Sequence, residues 1–353
     1  MTCPRLEIAK FPRNAVCAVT TSWDDNSKAD TEISEILDSV RMKGTFYVDP
    51  EGPSRNLKGT FYEDQRNPEA DPLTDPQLQT LARDHEVGSH TWSHVKLTSC
   101  SPEEAREELI LSKEYLEKVT SRSVLGLAYP YGKNSGKIQR LANQCGYLFA
   151  RTTQLGQVSF PPTNPYSWGV SVEAITRSGL PEKLITSRLF SNAALAYLLN
   201  LTSDSMKLAL GLFEKARLHR GVWHLFGHSS EALKPKNREQ FLDLCHYVAR
   251  RDDVWYATNG MLFLCEARKR NASIVQSRHG QTFVYEVRVV PYGPPISGAT
   301  PLPLQLVMPE KWSSSFRIDV DTFRSGSFEM GDLQSRTWID VYGNRARVEV
   351  ECG

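Results

Sequence analysis

The sequence predicts a parallel α/β barrel followed by a small all-β, sandwich-like segment. Short β-branched apolar runs alternate with stretches of helical spacing from about residue 15 to residue 265, the pattern of strand–helix–strand units. There are enough of these runs to suit a barrel better than a small open sheet. After residue 267 the texture changes to short alternating runs split by Gly, Pro and Ser, as in antiparallel sandwiches. The expected division is a barrel domain over residues 1–267 and a β-rich domain over residues 268–353.

AVCAVTTSW (15–23) is nearly continuous and apolar, as expected of a strand buried on both faces. Ile33, Ile36, Leu37 and Val40 mark one face of a helix over 30–42, and GTFYVD (44–49) is the second strand. A loop rich in Pro, Gly and Asp follows over 50–76, long enough to suggest a functional face. Asp75 reads as a helix N-cap with Pro76 in the first turn, ahead of the short strand EVGSH. SPEEAREELILSKEYLEKV (101–119) is the clearest helix, with Ser101 capping and Pro102, Glu103 and Glu104 in its first turn. Strands at 123–129 and 147–151 flank a helix that ends at Gly146. Residues 181–217 are helical in character, 221–228 form a strand, 237–250 a helix and 253–258 a last strand. In the tail, FVYEVRVV, LPLQLVM, SFRIDV, TWIDVYG and ARVEVE read as strands.

The formal net charge of +1 gives no field suited to nucleic acid or an anionic membrane. No run is long and apolar enough for a leader or a membrane span, so a cytoplasmic location is expected. Seven scattered cysteines without a CxxC pair argue against a disulfide framework or a cysteine zinc site. Cys17, Cys145, Cys245 and Cys265 read as core residues.

Four stretches carry possible chemistry. SWDD places Asp24 and Asp25 together where the first strand stops. They are either solvated acids that begin the next helix or a divided pair, one for a metal and one for a proton. GSHTWSH spaces His90 and His94 as i, i+4. A helical turn there would put both rings on one side, where they could share a metal with Asp25; the alternative is two polar loop residues. In YPYG, Pro130 stiffens a turn that could aim the Tyr131 N–H at an oxyanion, unless it is an ordinary tight turn. GVWHLFGH ends at His228, a candidate general acid, with the more buried His224 as its rival. His85 reads as a surface residue at a helix end.

Taken in this order, Asp24-Asp25, His90–His94, Pro130-Tyr131-Gly132 and His228 resemble the polysaccharide deacetylase family with the NodB homology domain, carbohydrate esterase family 4. The resemblance covers roughly residues 15–265. It implies a distorted (β/α) barrel and a divalent metal, most often zinc, with cobalt, manganese or nickel as alternatives. The implied activity is metal-dependent hydrolysis of N-acetyl groups from amino sugars. By position it implies Asp25, His90 and His94 as metal ligands, Asp24 as general base, the Tyr131 backbone as oxyanion donor and His228 as general acid. Pro130, Tyr131 and Trp168 are expected to touch substrate.

The sequence departs from the family pattern in three places. Ala128 stands where the family often has an Arg that orients the catalytic Asp, and Arg151 is the expected substitute. No clear acidic motif orients the catalytic His; NPYSWGVSVE (164–173) offers Trp168 as a pocket wall and Glu173 as an acid. The long segment 181–217 precedes the His228 strand as a lid, a wall or an oligomer contact. The rival functions are hydrolysis of another or cyclic amide on the same fold and a non-catalytic carbohydrate-binding protein. The expected partner is an N-acetylated saccharide or glycoconjugate, with a homo-oligomer possible through the tail or the 181–217 segment. Trp312, Phe316, Trp338 and Tyr342 in the tail are read as core in preference to sugar-stacking.

Overall fold

The structure is a computed structural model that describes residues 7–12, 15–52, 71–174, 205–279, 282–289, 304–307, 316–319, 323–326, 338–341 and 345–351. The chain divides into two compact units, Val16–Gly260 and Met1–Ala15 with Met261–Gly353. The N-terminal residues therefore fall with the C-terminal ones, which the expected division at residue 267 does not anticipate. The cause is strand pairing, because β1 (Glu7–Ile8) is hydrogen-bonded into a tail sheet.

In the larger unit, β2 (Cys17–Asp24) is followed by α1 (Asp30–Ser39), β3 (Gly44–Val48), α2 (Asp75–Asp84) and β4 (Glu86–Ser89). Next come α3 (Pro102–Thr120), β5 (Gly126–Ala128), α4 (Gly136–Gln144), β6 (Phe149–Arg151) and the short β7 (Val172–Glu173). Then come α5 (Ser205–Leu218), β8 (Val222–His228), α6 (Ser229–Ala232), α7 (Pro235–Val248) and β9 (Val254–Tyr256), and α8 (Asn259–Arg270) starts at the end of this unit with most of its length in the smaller one. Helix starts follow their caps. Ser101 accepts from the Glu104 N–H while Glu104 reaches back to the Ser101 N–H, the reciprocal pair expected at the head of α3. At α2 the cap is Thr74, one residue before the expected Asp75, because Gln77 can reach back to the Thr74 N–H.

All pairings in this unit are parallel, in the order β6-β5-β4-β3-β2-β8-β7, with β9 also on β2. Every residue of β2 is buried, so its apolar run reflects its central place. The sheet curls. The segment after β6 joins its two edges: the Trp168 N–H donates to Ala150 and the Ala174 N–H to Phe226. Trp23, Phe46, Leu37, Leu109, Phe213, Trp223 and Phe241 fill the packing around it. Parallel strands deliver all their C-terminal ends to one rim, and every site residue below lies on that rim.

The smaller unit holds two four-stranded antiparallel sheets. One contains β1, with β12 (Leu304–Val307), β14 (Phe323–Gly326) and β15 (Trp338–Val341). The other contains β10 (Ala272–His279), β11 (Thr282–Val289), β13 (Phe316–Asp319) and β16 (Arg345–Glu351). The strands expected from the tail sequence are present, whereas β1, β7, β10, β14, α6 and α8 escaped the sequence reading. Residues 181–204 of the expected helical segment lie outside the described residues. So do Trp312, Tyr342 and the side chains of Phe316 and Trp338.

Candidate metal centre and active site

β2 ends at Asp24, and the chain then turns through Asp25 (φ 81°) and Asn26 (φ 48°). Positive φ is tolerated by Asp and Asn better than by most other side chains. Asn26 secures the turn, donating to the Asp49 carbonyl at 3.3 Å and accepting from the Leu73 N–H at 3.2 Å. This turn separates the two acids. Asp24 stays on the strand, 3% exposed, and Asp25 swings toward the histidines.

His90 and His94 follow β4, but no helical turn brings them together. Thr91 (φ 68°) and His94 (φ 55°) are left-handed, and the loop doubles back so that the rings lie 4.7 Å apart. The expected helical convergence is thus replaced by a bent loop. His90 Nδ1 lies 2.8 Å from the Ala128 carbonyl. A carbonyl can only accept, so Nδ1 carries the proton and Nε2 presents a lone pair.

Both Nε2 atoms lie 3.4 Å from one oxygen of Asp25, and the three residues form a candidate metal cluster. A tetrahedral ion with bonds of ~2.1 Å separates its ligands by about 3.4 Å. Two imidazole nitrogens and a carboxylate therefore fit a divalent ion in both chemistry and spacing.

Arg151, fully buried at the end of β6, donates through Nη2 to Asp24 Oδ1. Its Nη1 donates to the Thr152 carbonyl at 3.3 Å, and the guanidinium sits 5.0 Å from the ring centres of both Tyr47 and Phe226. Two aromatic faces thus hold the cation that faces Asp24. The other oxygen of Asp24 is 3.9 Å from His90 Nε2, farther than Asp25, so Asp24 stands beside the cluster.

The Pro130–Gly132 turn borders the same rim. Pro130 is buried, while Tyr131 (φ 59°) is 47% exposed and meets His94 edge-on at 5.0 Å. Gly132 (φ 66°) is required there, because a Cβ would come within 2.8 Å of the Thr153 backbone nitrogen. His228 ends β8 with Nε2 3.5 Å from Asp25 Oδ2. The structure therefore brings Asp24, Asp25, His90, His94, Tyr131, Arg151 and His228 to one place.

Three residues sit differently from expectation or were missed. Trp168, expected as a pocket wall, is 3% exposed; it stacks on His224 at 4.5 Å and meets Phe149 and Phe160 edge-on. It is a core ring because the segment that carries it closes the sheet. His85, expected at the surface, is buried: its Nδ1 accepts from the Gly44 N–H at 3.2 Å, and burial lowers its pKa. Asp30 was not singled out in the sequence. It is 1% exposed and accepts from the Ser229 hydroxyl and the Ser27 N–H. Burial, against these hydrogen bonds, pushes its carboxyl up to about 8. An Asp in a first helical turn gives no sequence signal of burial. His224 is the core histidine that was the alternative to His228, with Nε2 2.8 Å from Ser22 Oγ and its pKa lowered well below normal by burial.

Residues 14–150 match the family model described as polysaccharide deacetylase. The chain carries a polysaccharide deacetylase family domain. The match contains Asp24, Asp25, His90, His94 and Tyr131 and stops before Arg151 and His228. YxkH of Bacillus subtilis (strain 168), whose name places it among the polysaccharide deacetylases, is 26% identical over 88 residues. That alignment spans 25% of this chain and 32% of YxkH, so the chain matches about a third of that relative's length. Solved structures are similar as well, two deacetylases among them. The Streptococcus pyogenes deacetylase PplD in complex with acetate is 23% identical, with a TM-score of 0.37, covering 47% of this chain and 68% of that one. The chitin deacetylase from the fungal pathogen Colletotrichum lindemuthianum is 15% identical, with a TM-score of 0.43, covering 69% and 86%.

Proposed function

We propose that the chain is a metal-dependent deacetylase that hydrolyses the N-acetyl group of an amino sugar in a saccharide or glycoconjugate and releases acetate. The observation that carries this reading is the placing of Asp25 Oδ1 at 3.4 Å from both histidine Nε2 atoms, with Asp24 beside them on Arg151. Asp25, His90 and His94 would hold the ion. A divalent ion there, most simply zinc, supplies Lewis acidity toward an amide carbonyl and lowers the pKa of water.

In this reading Asp24 removes the proton from the attacking water, and Arg151, hydrogen-bonded to Asp24 Oδ1, fixes the direction of that carboxylate. The Tyr131 N–H donates to the oxygen that gains charge as water attacks. His228 gives a proton to the departing nitrogen, so the products are a free amine and acetate.

The test is metal content after reconstitution, then acetate release from N-acetylglucosamine oligomers and monosaccharide conjugates, with Asp24→Asn as control. Bound metal with acetate release lost in Asp24→Asn is the expected result. Bound metal without acetate from any acetamido sugar points to another amide substrate. No bound metal points to a carbohydrate-binding protein.

A further inference from the structure

The loop that joins the two histidines has an unusual shape, and one buried carboxylate takes three of its hydrogen bonds. Between His90 and His94 lie Thr91, Trp92 and Ser93, and both Thr91 and His94 hold positive φ. Such a backbone is strained and persists only where its surroundings hold it. The neighbour with the most hydrogen bonds to this link is Glu108 of α3. Its Oε2 accepts from the N–H groups of Trp92 and Ser93, both at 2.9 Å, and its Oε1 accepts from the Ser93 hydroxyl at 2.6 Å.

We propose that Glu108 is a positioning residue of the metal centre, whose carboxylate locks the Thr91–Ser93 link in the shape that converges His90 and His94 on Asp25. This rests on reading those three residues as metal ligands. Glu108 is 2% exposed, so its hydrogen bonds are shielded from water and the carboxylate has three donors converging on it. It stands mid-helix between the buried Ala105 and Leu109, on a rigid support for the loop. A second tie joins the same two elements, Ser89 Oγ to Ser112 Oγ at 2.8 Å. Without the carboxylate, two N–H groups and a hydroxyl lose their acceptor, and the link is released toward ordinary negative φ. The imidazoles then separate and the site loses its spacing.

The test is zinc affinity of the full chain, measured by competition with a chromogenic chelator, together with the visible spectrum of the cobalt-loaded protein. Glu108→Ala should weaken zinc binding 10–100-fold, the range for outer partners of metal ligands, and should alter the cobalt bands. Glu108→Gln keeps one acceptor for the two N–H groups and should restore most of both. Glu107→Ala, one residue away and exposed, should change neither. Zinc affinity within twofold of wild type and an unchanged cobalt spectrum in Glu108→Ala would overturn the proposal. If Glu108→Ala does not fold, Ser93→Ala decides, with a loss of threefold or more expected and a change within twofold overturning it. A wild-type chain that takes up no zinc overturns the metal reading and this inference with it, a failure distinct from a zinc-binding wild type with unchanged variants.

Discussion

Two adjacent aspartates in this site differ by their neighbours. Asp25 faces two imidazoles and Asp24 faces a guanidinium. Asp25→Ala should therefore abolish metal uptake, measured by elemental analysis after reconstitution. Asp24→Asn should keep the metal and lower kcat by roughly 10²–10⁴-fold, the usual worth of a general base. Arg151→Ala should lower kcat strongly with metal content intact, and near-normal turnover would rule out its role. The same change leaves a buried carboxylate unpaired and should lower stability by about 3–5 kcal/mol, read by denaturant unfolding.

Asp30 makes a different prediction at this scale. Its folded carboxyl titrates near 8 against an ordinary 3.8, chiefly through burial. Between those values the folded chain holds a proton that the unfolded chain has lost, so stability falls as pH rises through that window. Asp30→Asn should flatten the fall. Thermal midpoints at pH 5 and pH 8, taken with chelator present, check this, and equal slopes in the two proteins would refute it.

Single elements show why the motifs were legible and their geometry was not. A histidine pair at i, i+4 suggests a helix turn, yet the turn is a loop with two left-handed residues. Nothing in TWS announces positive φ, because the conformation is held from α3, which lies fourteen residues beyond His94 at Glu108. The Pro130–Gly132 turn was easier, since Pro and Gly carry their own backbone restrictions. Gly132→Ala should displace the Tyr131 turn, because a Cβ meets Thr153 and φ is 66°. The expected outcome is intact metal binding with kcat lowered, measured side by side.

Across the whole larger unit, the sheet curls and the segment from Trp168 to Ala174 ties its edges together. This places Trp168 in the core and not in a cleft. Trp168→Ala should therefore cost about 3–5 kcal/mol, as large aromatic truncations do, with zinc affinity of the refolded protein unchanged. A variant of normal stability with a raised KM for acetamido sugars would return Trp168 to the pocket wall.

By itself the sequence determined the alternation of strands and helices, the order of the four motifs and the family. These rest on periodicity, caps and residue types that are local along the chain. The structure set the expected Arg151 on Asp24 across 127 residues, and tertiary structure alone decided that Asp30 is buried and that Glu108 holds the histidine loop. Each depends on which side chains meet across the curled sheet, and burial and pairing across it leave no periodic mark on the chain.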